Sequence, residues 1–307
     1  MPTRKDIELE VVQRQTQSND TIRRNYLKEL HEYTKRDTII YASGFTNPKI
    51  QGQRIPSSFI SITTHDIQGF MSALYGLKGK ELDLIIHSPG GLLEAADQIV
   101  QYLRSKYNHI RAIVPQNAMS AATMICCACD SIVMGKHSAI GPIDPQIDVP
   151  IANRRFTAPA HALLEEFEKA KEEVKQDIKT APLWVKKIES YPPGILNICS
   201  ESIDLAKNKV IEWLNSYMFK DCKDKKGREI AEWLASYKEH KTHGRPINAA
   251  MAKEKGLKIE TLEDNQDLQE KVLSVFHASL LTFDNTNCLK FIENHNGQGS
   301  FLNVPVK

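Results

Sequence analysis

The chain has 307 residues, 41% of them hydrophobic and 25% charged, with a formal net charge of +2. That size and mix describe a large globular domain, and so small a net charge excludes the strong basic field of a protein built mainly to hold nucleic acid. No run reaches the roughly 18 apolar residues of a membrane-spanning helix, so no integral membrane segment is expected.

Residues 1–37 carry both charge signs and lack the apolar stretch of a signal peptide. They predict a charged helical arm and a cytoplasmic protein. From residue 38 the pattern changes. Residues 38–42 and 58–62 are short β-branched runs, and Asp66 opens a helix with Ile67, Phe70, Met71 and Leu74 on one face. Residues 82–87 form a buried strand. The helix after it turns Leu92, Leu93, Ala96, Ile99, Val100 and Leu103 inward. Strands over 109–114 and 131–134 flank a helix over 120–129. Strand and helix alternate at short spacing, which implies an α/β fold with a parallel sheet and crossover helices. Ligands gather at the carboxyl ends of such strands.

Gly141-Pro142-Ile143-Asp144-Pro145-Gln146 reads as a rigid loop, with prolines restricting the backbone around Asp144. Pro159 precedes an amphipathic helix over about 161–179, where Leu164, Phe167, Val174 and Ile178 recur at helical spacing. Pro182, Pro192, Pro193 and Gly194 mark a loop that could edge a cleft. Helices follow over 202–219 and 227–237. His243-Gly244-Arg245-Pro246-Ile247 leads into another, which Gly256 caps ahead of a short strand at 257–259. A last helix over 265–283 gives way to a polar tail. The expected organisation is an arm over 1–37, one domain over 38–295 and a tail over 296–307. Lys220, Lys223, Lys225, Lys226 and Arg228 form a basic cluster that reads as a solvated loop. Cys126, Cys127 and Cys129 crowd one helix without zinc-site spacing, so reduced, buried thiols are expected, with no metal site and no cofactor.

The chemistry gathers at two strand ends. Ser88-Pro89-Gly90-Gly91 lies where a strand gives way to a helix, and paired glycines let the backbone turn and expose N–H groups. The spacing matches neither nucleotide-binding glycine motif. Thirty residues on, Ala118-Met119-Ser120-Ala121-Ala122 places a serine at the start of a buried helix. Ser120 could cap that helix. Its small neighbours and its strand end, next to that of the glycine pair, suggest instead a nucleophile opening on the same crevice as an oxyanion hole. A serine needs a base. His161, just after Pro159, and His243, just before Pro246, are both candidates, and Asp144 could orient a histidine. His65, His87, His109 and His137 lie at other strand or turn ends, and Lys136 is an amine alternative.

The stretch from about residue 83 to 146 closely resembles the serine dehydrogenase proteinase family, a branch of the Clp protease/crotonase superfamily related to signal peptide peptidase A. The resemblance rests on Leu84-Ile85-Ile86-His87-Ser88-Pro89-Gly90-Gly91, Val114-Pro115, Ala118-Met119-Ser120 and Gly141-Pro142-Ile143-Asp144-Pro145-Gln146 together. His243 to Ile247, with Ala252 and Gly256-Leu257, looks like a later step of the same family. The resemblance implies a spiral of ββα units with added helices, assembled as a homo-oligomer. It also implies a serine peptidase acting on peptide or protein substrates, with Ser120 as nucleophile and the N–H groups of Gly91 and Ala121 as oxyanion hole. Two departures stand out. Many relatives carry a membrane anchor near the N-terminus, where this chain has a charged arm. The membrane-linked peptidases use a lysine base after the proline loop, where this chain has His161. Two other readings use the same fold: a crotonase-type acyl-CoA enzyme, for which Glu94 is the nearest carboxylate, and a non-catalytic oligomeric scaffold.

Overall fold

A computed structural model describes residues 4–5, 7–8, 19–52, 55–151, 154–222 and 226–304. The regular elements begin with helix α1 (Asn19–Thr34), strand β1 (Asp37–Ser43), helix α2 (Asp66–Leu74) and strand β2 (Glu81–His87). Helix α3 (Leu93–Lys106), strands β3 (His109–Val114) and β4 (Asn117–Ala118), and helix α4 (Ala121–Cys127) follow. Strands β5 (Ser131–Met134) and β6 (Ala139–Ile140) lead to a hairpin of β7 (Gln146–Ile151) and β8 (Arg154–Pro159). Helices α5 (Ala160–Gln176), α6 (Ala181–Ile188), α7 (Ile195–Trp213) and α8 (Gly227–Ala235) come next. Strands β9 (Ile247–Asn248) and β10 (Ile259–Thr261), helix α9 (Gln266–Asn285), and strands β11 (Cys288–Asn294) and β12 (Gly299–Asn303) close the chain.

Seven strands form the central sheet in the order β10-β5-β3-β2-β1-β11-β12. The first five pair in parallel, and β11 and β12 add an antiparallel edge. Each of β3 and β5 is followed by a short strand, and β6 pairs with β4 on one side and β9 on the other in a second small sheet. This is the expected stack of ββα steps. Both faces of the central sheet are buried, as a parallel sheet requires. Period-two alternation divides its residues. Ile39, Tyr41, Leu84, Ile86, Ala112 and Val114 pack in the larger core with α2, α3, α4, α7 and α8. Ile40, Ala42, Ile85, Ile113 and Val133 face a second core with α1 and α9. The hairpin, α5 and the start of α7 enclose a third cluster around Val149, Leu163, Ile195 and Cys199.

Three stretches differ from expectation. Helix α1 lies against α9, with Leu27 and Leu30 fully buried and Arg23 paired to Glu293 at 2.8 Å. Residues 19–34 thus pack on the domain; most of the arm before them lies outside the described residues. Residues 58–62 make a single helical turn, Ser57–Phe59, and one bridge from Ile62 to Gly91. The chain after α9 is two paired strands, and β11 is buried throughout. Its Lys290 and Glu293 hide the strand from a local reading because their partners, Asp66 and Arg23, lie far away in sequence.

Five cysteines are buried and Cys222 is exposed; burial pushes the thiols of Cys126, Cys127 and Cys129 up. No helix among the described residues is long and apolar enough to cross a membrane. In the basic cluster, Lys223 and Lys225 lie outside the described residues, while Lys220 pairs with Asp130 at 3.6 Å.

Candidate active site

The two strand ends singled out by sequence lie side by side. Ser88 donates its N–H to the Asn117 carbonyl at 3.0 Å, and Met119 donates to the Ser88 carbonyl at 3.0 Å. This bridge sets the turn after β2 against the turn after β4. Gly90 has φ +94, and a Cβ there would stand 2.6 Å from both the Met119 carbonyl and the Ser120 Cβ. Only glycine allows that approach. Gly91 has φ +153 and is pressed equally closely on Ile62, whose backbone oxygen would be 2.3 Å from an added Cβ.

Ser120 itself has φ +53 and ψ −122, a conformation that a residue with a side chain rarely adopts. Such a backbone stores about 1–3 kcal/mol and persists only where its surroundings hold it. Here the Thr123 hydroxyl donates to the Ala118 carbonyl at 2.7 Å and accepts from the Gly141 N–H at 2.9 Å, and Ala122 donates to the Met119 carbonyl at 2.9 Å. The Ser120 side chain does not cap α4. Among the described residues, no acceptor takes the N–H of Gly91 or of Ala121.

A cleft of about 570 Å³ opens over this junction. Its walls include Gly90, Gly91, Ser120, Ala121, Asp144 and His243. Asp144 is 1% exposed. Its Oδ1 lies 2.9 Å from His243 Nδ1, and its Oδ2 accepts from Gln146 Nε2 at 2.9 Å. A carboxylate only accepts, so Nδ1 of His243 is the donor in this contact. His161 does not line the cleft. It stands at the start of α5 with Nε2 buried and without a hydrogen-bond partner among the described residues.

The other titratable candidates are engaged elsewhere. His87 is fully buried between Phe45 and Phe276, and burial lowers its pKa to about 3. His109 meets Arg36, and His137 Nε2 donates to the Pro115 carbonyl. Lys136 is exposed. Sequence reasoning missed the far walls of the cleft: Ser202, Leu205 and Ala206 from α7, and Ile147, Asp148 and Thr157 from the hairpin. The spacing of 202, 205 and 206 on one helix face was their only sequence signal.

One group among the described residues gathers metal-ligand side chains: His31, Asp37 and His295. The two imidazoles stack 3.6 Å apart with planes 5° from parallel. Parallel lone pairs do not converge on one ion, and Asp37 begins β1, at the end of the strand away from the cleft.

A family profile described as ClpP-like SDH-type serine proteinase matches residues 10–277. An uncharacterized protein of Methanocaldococcus jannaschii is 34% identical over 203 residues, which cover 65% of this chain and 61% of the relative. A second uncharacterized protein of that organism is 30% identical over 184 residues, covering 59% and 52%. The matched region therefore spans less than two thirds of either relative. Two solved structures of a membrane-bound stomatin-specific protease are each 16% identical to the chain. One, a mutant, covers 69% of this chain and 79% of its own with a TM-score of 0.40. The other, a mutant in complex with a substrate peptide, covers 79% and 83% with a TM-score of 0.39.

Proposed function

The chain belongs to the ClpP-like SDH-type serine proteinase family, and from that premise we propose that it hydrolyses peptide bonds through an acyl-enzyme on Ser120. The observation that carries the reading is one cleft lined by Ser120, the glycine turn and a histidine already oriented by a buried carboxylate. In this mechanism Ser120 Oγ attacks the peptide carbonyl carbon while His243 Nε2 takes its proton. Asp144 holds the imidazole in the required tautomer and stabilises the imidazolium that forms. The oxygen of the tetrahedral intermediate receives the unengaged N–H groups of Gly91 and Ala121; each such donor contributes about 3–4 kcal/mol to the transition state. His243 then protonates the leaving amine, and the same residues activate water to release the acyl group.

His243 is our choice of base over His161. It shares the cleft with Ser120, and its Nδ1–H has an acceptor, whereas His161 lies outside the cleft. The peptide reading is favoured over an acyl-CoA substrate because the described lining contains Glu94, Asp148 and Asp144 but no lysine or arginine to meet the phosphates. Homo-oligomeric assembly and a cytoplasmic site of action form part of the proposal. The exposed apolar side chains of Ile178, Leu183 and Val185 support assembly.

The test is hydrolysis of an unfolded protein substrate by purified wild type and by S120A and H243A. Turnover that disappears in both variants supports the reading; turnover equal in wild type and S120A overturns it.

A further inference from the structure

We infer that Lys290 and Asp66 form a buried brace that positions the Gly90-Gly91 turn, making Lys290 a positioning residue for chemistry at Ser120. The catalytic half of this inference rests on the proposed function; the structural half stands without it.

The pair is buried and does not line the cleft. Lys290, on β11, and Asp66, at the start of α2, are 4% and 3% exposed, with Nζ 2.7 Å from Oδ1. Lys290 Nζ also donates to the Ser61 carbonyl at 2.7 Å. Asp66 Oδ2 accepts from the Tyr41 hydroxyl at 2.9 Å and from the Thr63 N–H at 2.8 Å. Removing two charges from water is expensive, and an apolar pair of equal volume is commonly as stable. What an ion pair adds here is direction, because each of its hydrogen bonds ends on a stated atom.

Two of those atoms, the Ser61 carbonyl and the Thr63 N–H, belong to residues 60–63, a segment outside any strand whose backbone groups are held one by one. The Ile60 carbonyl accepts from the Ser43 hydroxyl at 2.7 Å. The Ser61 carbonyl and Thr63 N–H are taken by Lys290 and Asp66. Between them, Ile62 donates its N–H to the Gly90 carbonyl at 2.7 Å, and its own carbonyl accepts from Leu92 N–H at 3.0 Å. Residues 60–63 are therefore a splint. One side grips the glycine turn, and the other is fixed by side chains from β1, β11 and α2. The Gly91 N–H sits between the two bonds to Ile62, so a shift of the splint moves that donor. A misplacement of about 1 Å near reacting groups can cost on the order of 100-fold in rate.

The test uses the full chain as wild type, K290M, and K290M/D66N, which leaves no unpaired buried charge should the single variant fail to fold. Amide hydrogen exchange is read at Ile62 and Leu92 against the core strands β2 and β3. The brace predicts core-like protection of both amides in wild type, and at least about tenfold faster exchange in the variants while β2 and β3 stay protected. It also predicts that kcat for Ser120-dependent hydrolysis falls about 10–100-fold, with KM within about threefold and the pH profile unchanged. Exchange at Ile62 and Leu92 that is loop-like in wild type, or unaltered in the variants, overturns the inference. So does activity that falls only in proportion to unfolded protein. If wild type has no Ser120-dependent turnover, the peptidase reading fails, and the exchange data still decide whether the brace exists.

Discussion

His243 Nδ1 lies 2.9 Å from Asp144 Oδ1, although 99 residues separate the two in sequence. The imidazole is partly exposed to the cleft, while the carboxylate is 1% exposed and has its second oxygen occupied by Gln146. This contact makes Nδ1 the imidazole nitrogen engaged by Asp144 and leaves Nε2 as the other ring nitrogen.

D144N is expected to keep the fold and lower kcat by on the order of 10³–10⁴-fold. The amide can meet Gln146 and His243 with the correct donor and acceptor at only one of its two ends, so the imidazole tautomer is no longer enforced. Steady-state kinetics on a peptide substrate check this.

The two candidate bases separate cleanly. H243A is expected to lower kcat by on the order of 10⁴–10⁶-fold, whereas H161A leaves kcat within about threefold. The same kinetic assay reads both. A large loss in H161A with H243A near wild type would move the base to α5.

Backbone strain at Ser120 predicts an asymmetry in stability. Both S120A and S120G remove the hydroxyl, but only glycine accepts φ +53 without a steric penalty. S120G is expected to be more stable than S120A by about 1 kcal/mol, a few degrees in melting temperature. Equal melting temperatures would mean that the turn is not strained.

Buried histidine sets an acid limit to stability. His87 is fully buried, and its pKa is lowered from 6.5 to about 3 by loss of solvent. Between those values the unfolded chain binds a proton that the folded chain refuses. Stability therefore falls as pH drops through that window, by up to about 1.4 kcal/mol per pH unit from this group. His240 and His295, also lowered chiefly by burial, act in the same direction. Denaturant melts from pH 7 to pH 4 should show the decline, and H87Q should make it shallower.

The sheet and the glycine–serine junction were legible because their signals are local. Strand and helix periods alternate from β2 to β5, and glycine and serine stand where each strand ends. The remainder depends on long-range pairing. Residues 288–294 carry Lys290, Glu293 and Asn294, so no local pattern marks a strand there; only with Asp66, Arg23 and the Ala73 carbonyl in place can the strand be buried. The choice between His161 and His243 was open for the same reason, since no local pattern reveals which histidine meets Asp144. The β7–β8 hairpin escaped notice because its prolines and charges interrupt the alternation that marks a strand.

The central claim is that Ser120 is an activated nucleophile. Its most direct test is treatment of the folded chain with a fluorophosphonate probe, followed by peptide mass mapping of the adduct. A single adduct on Ser120 is expected in wild type, abolished in S120A and slowed by at least about 100-fold in H243A. Labelling of wild type and S120A to the same extent, or an adduct mapped to another residue, would contradict it.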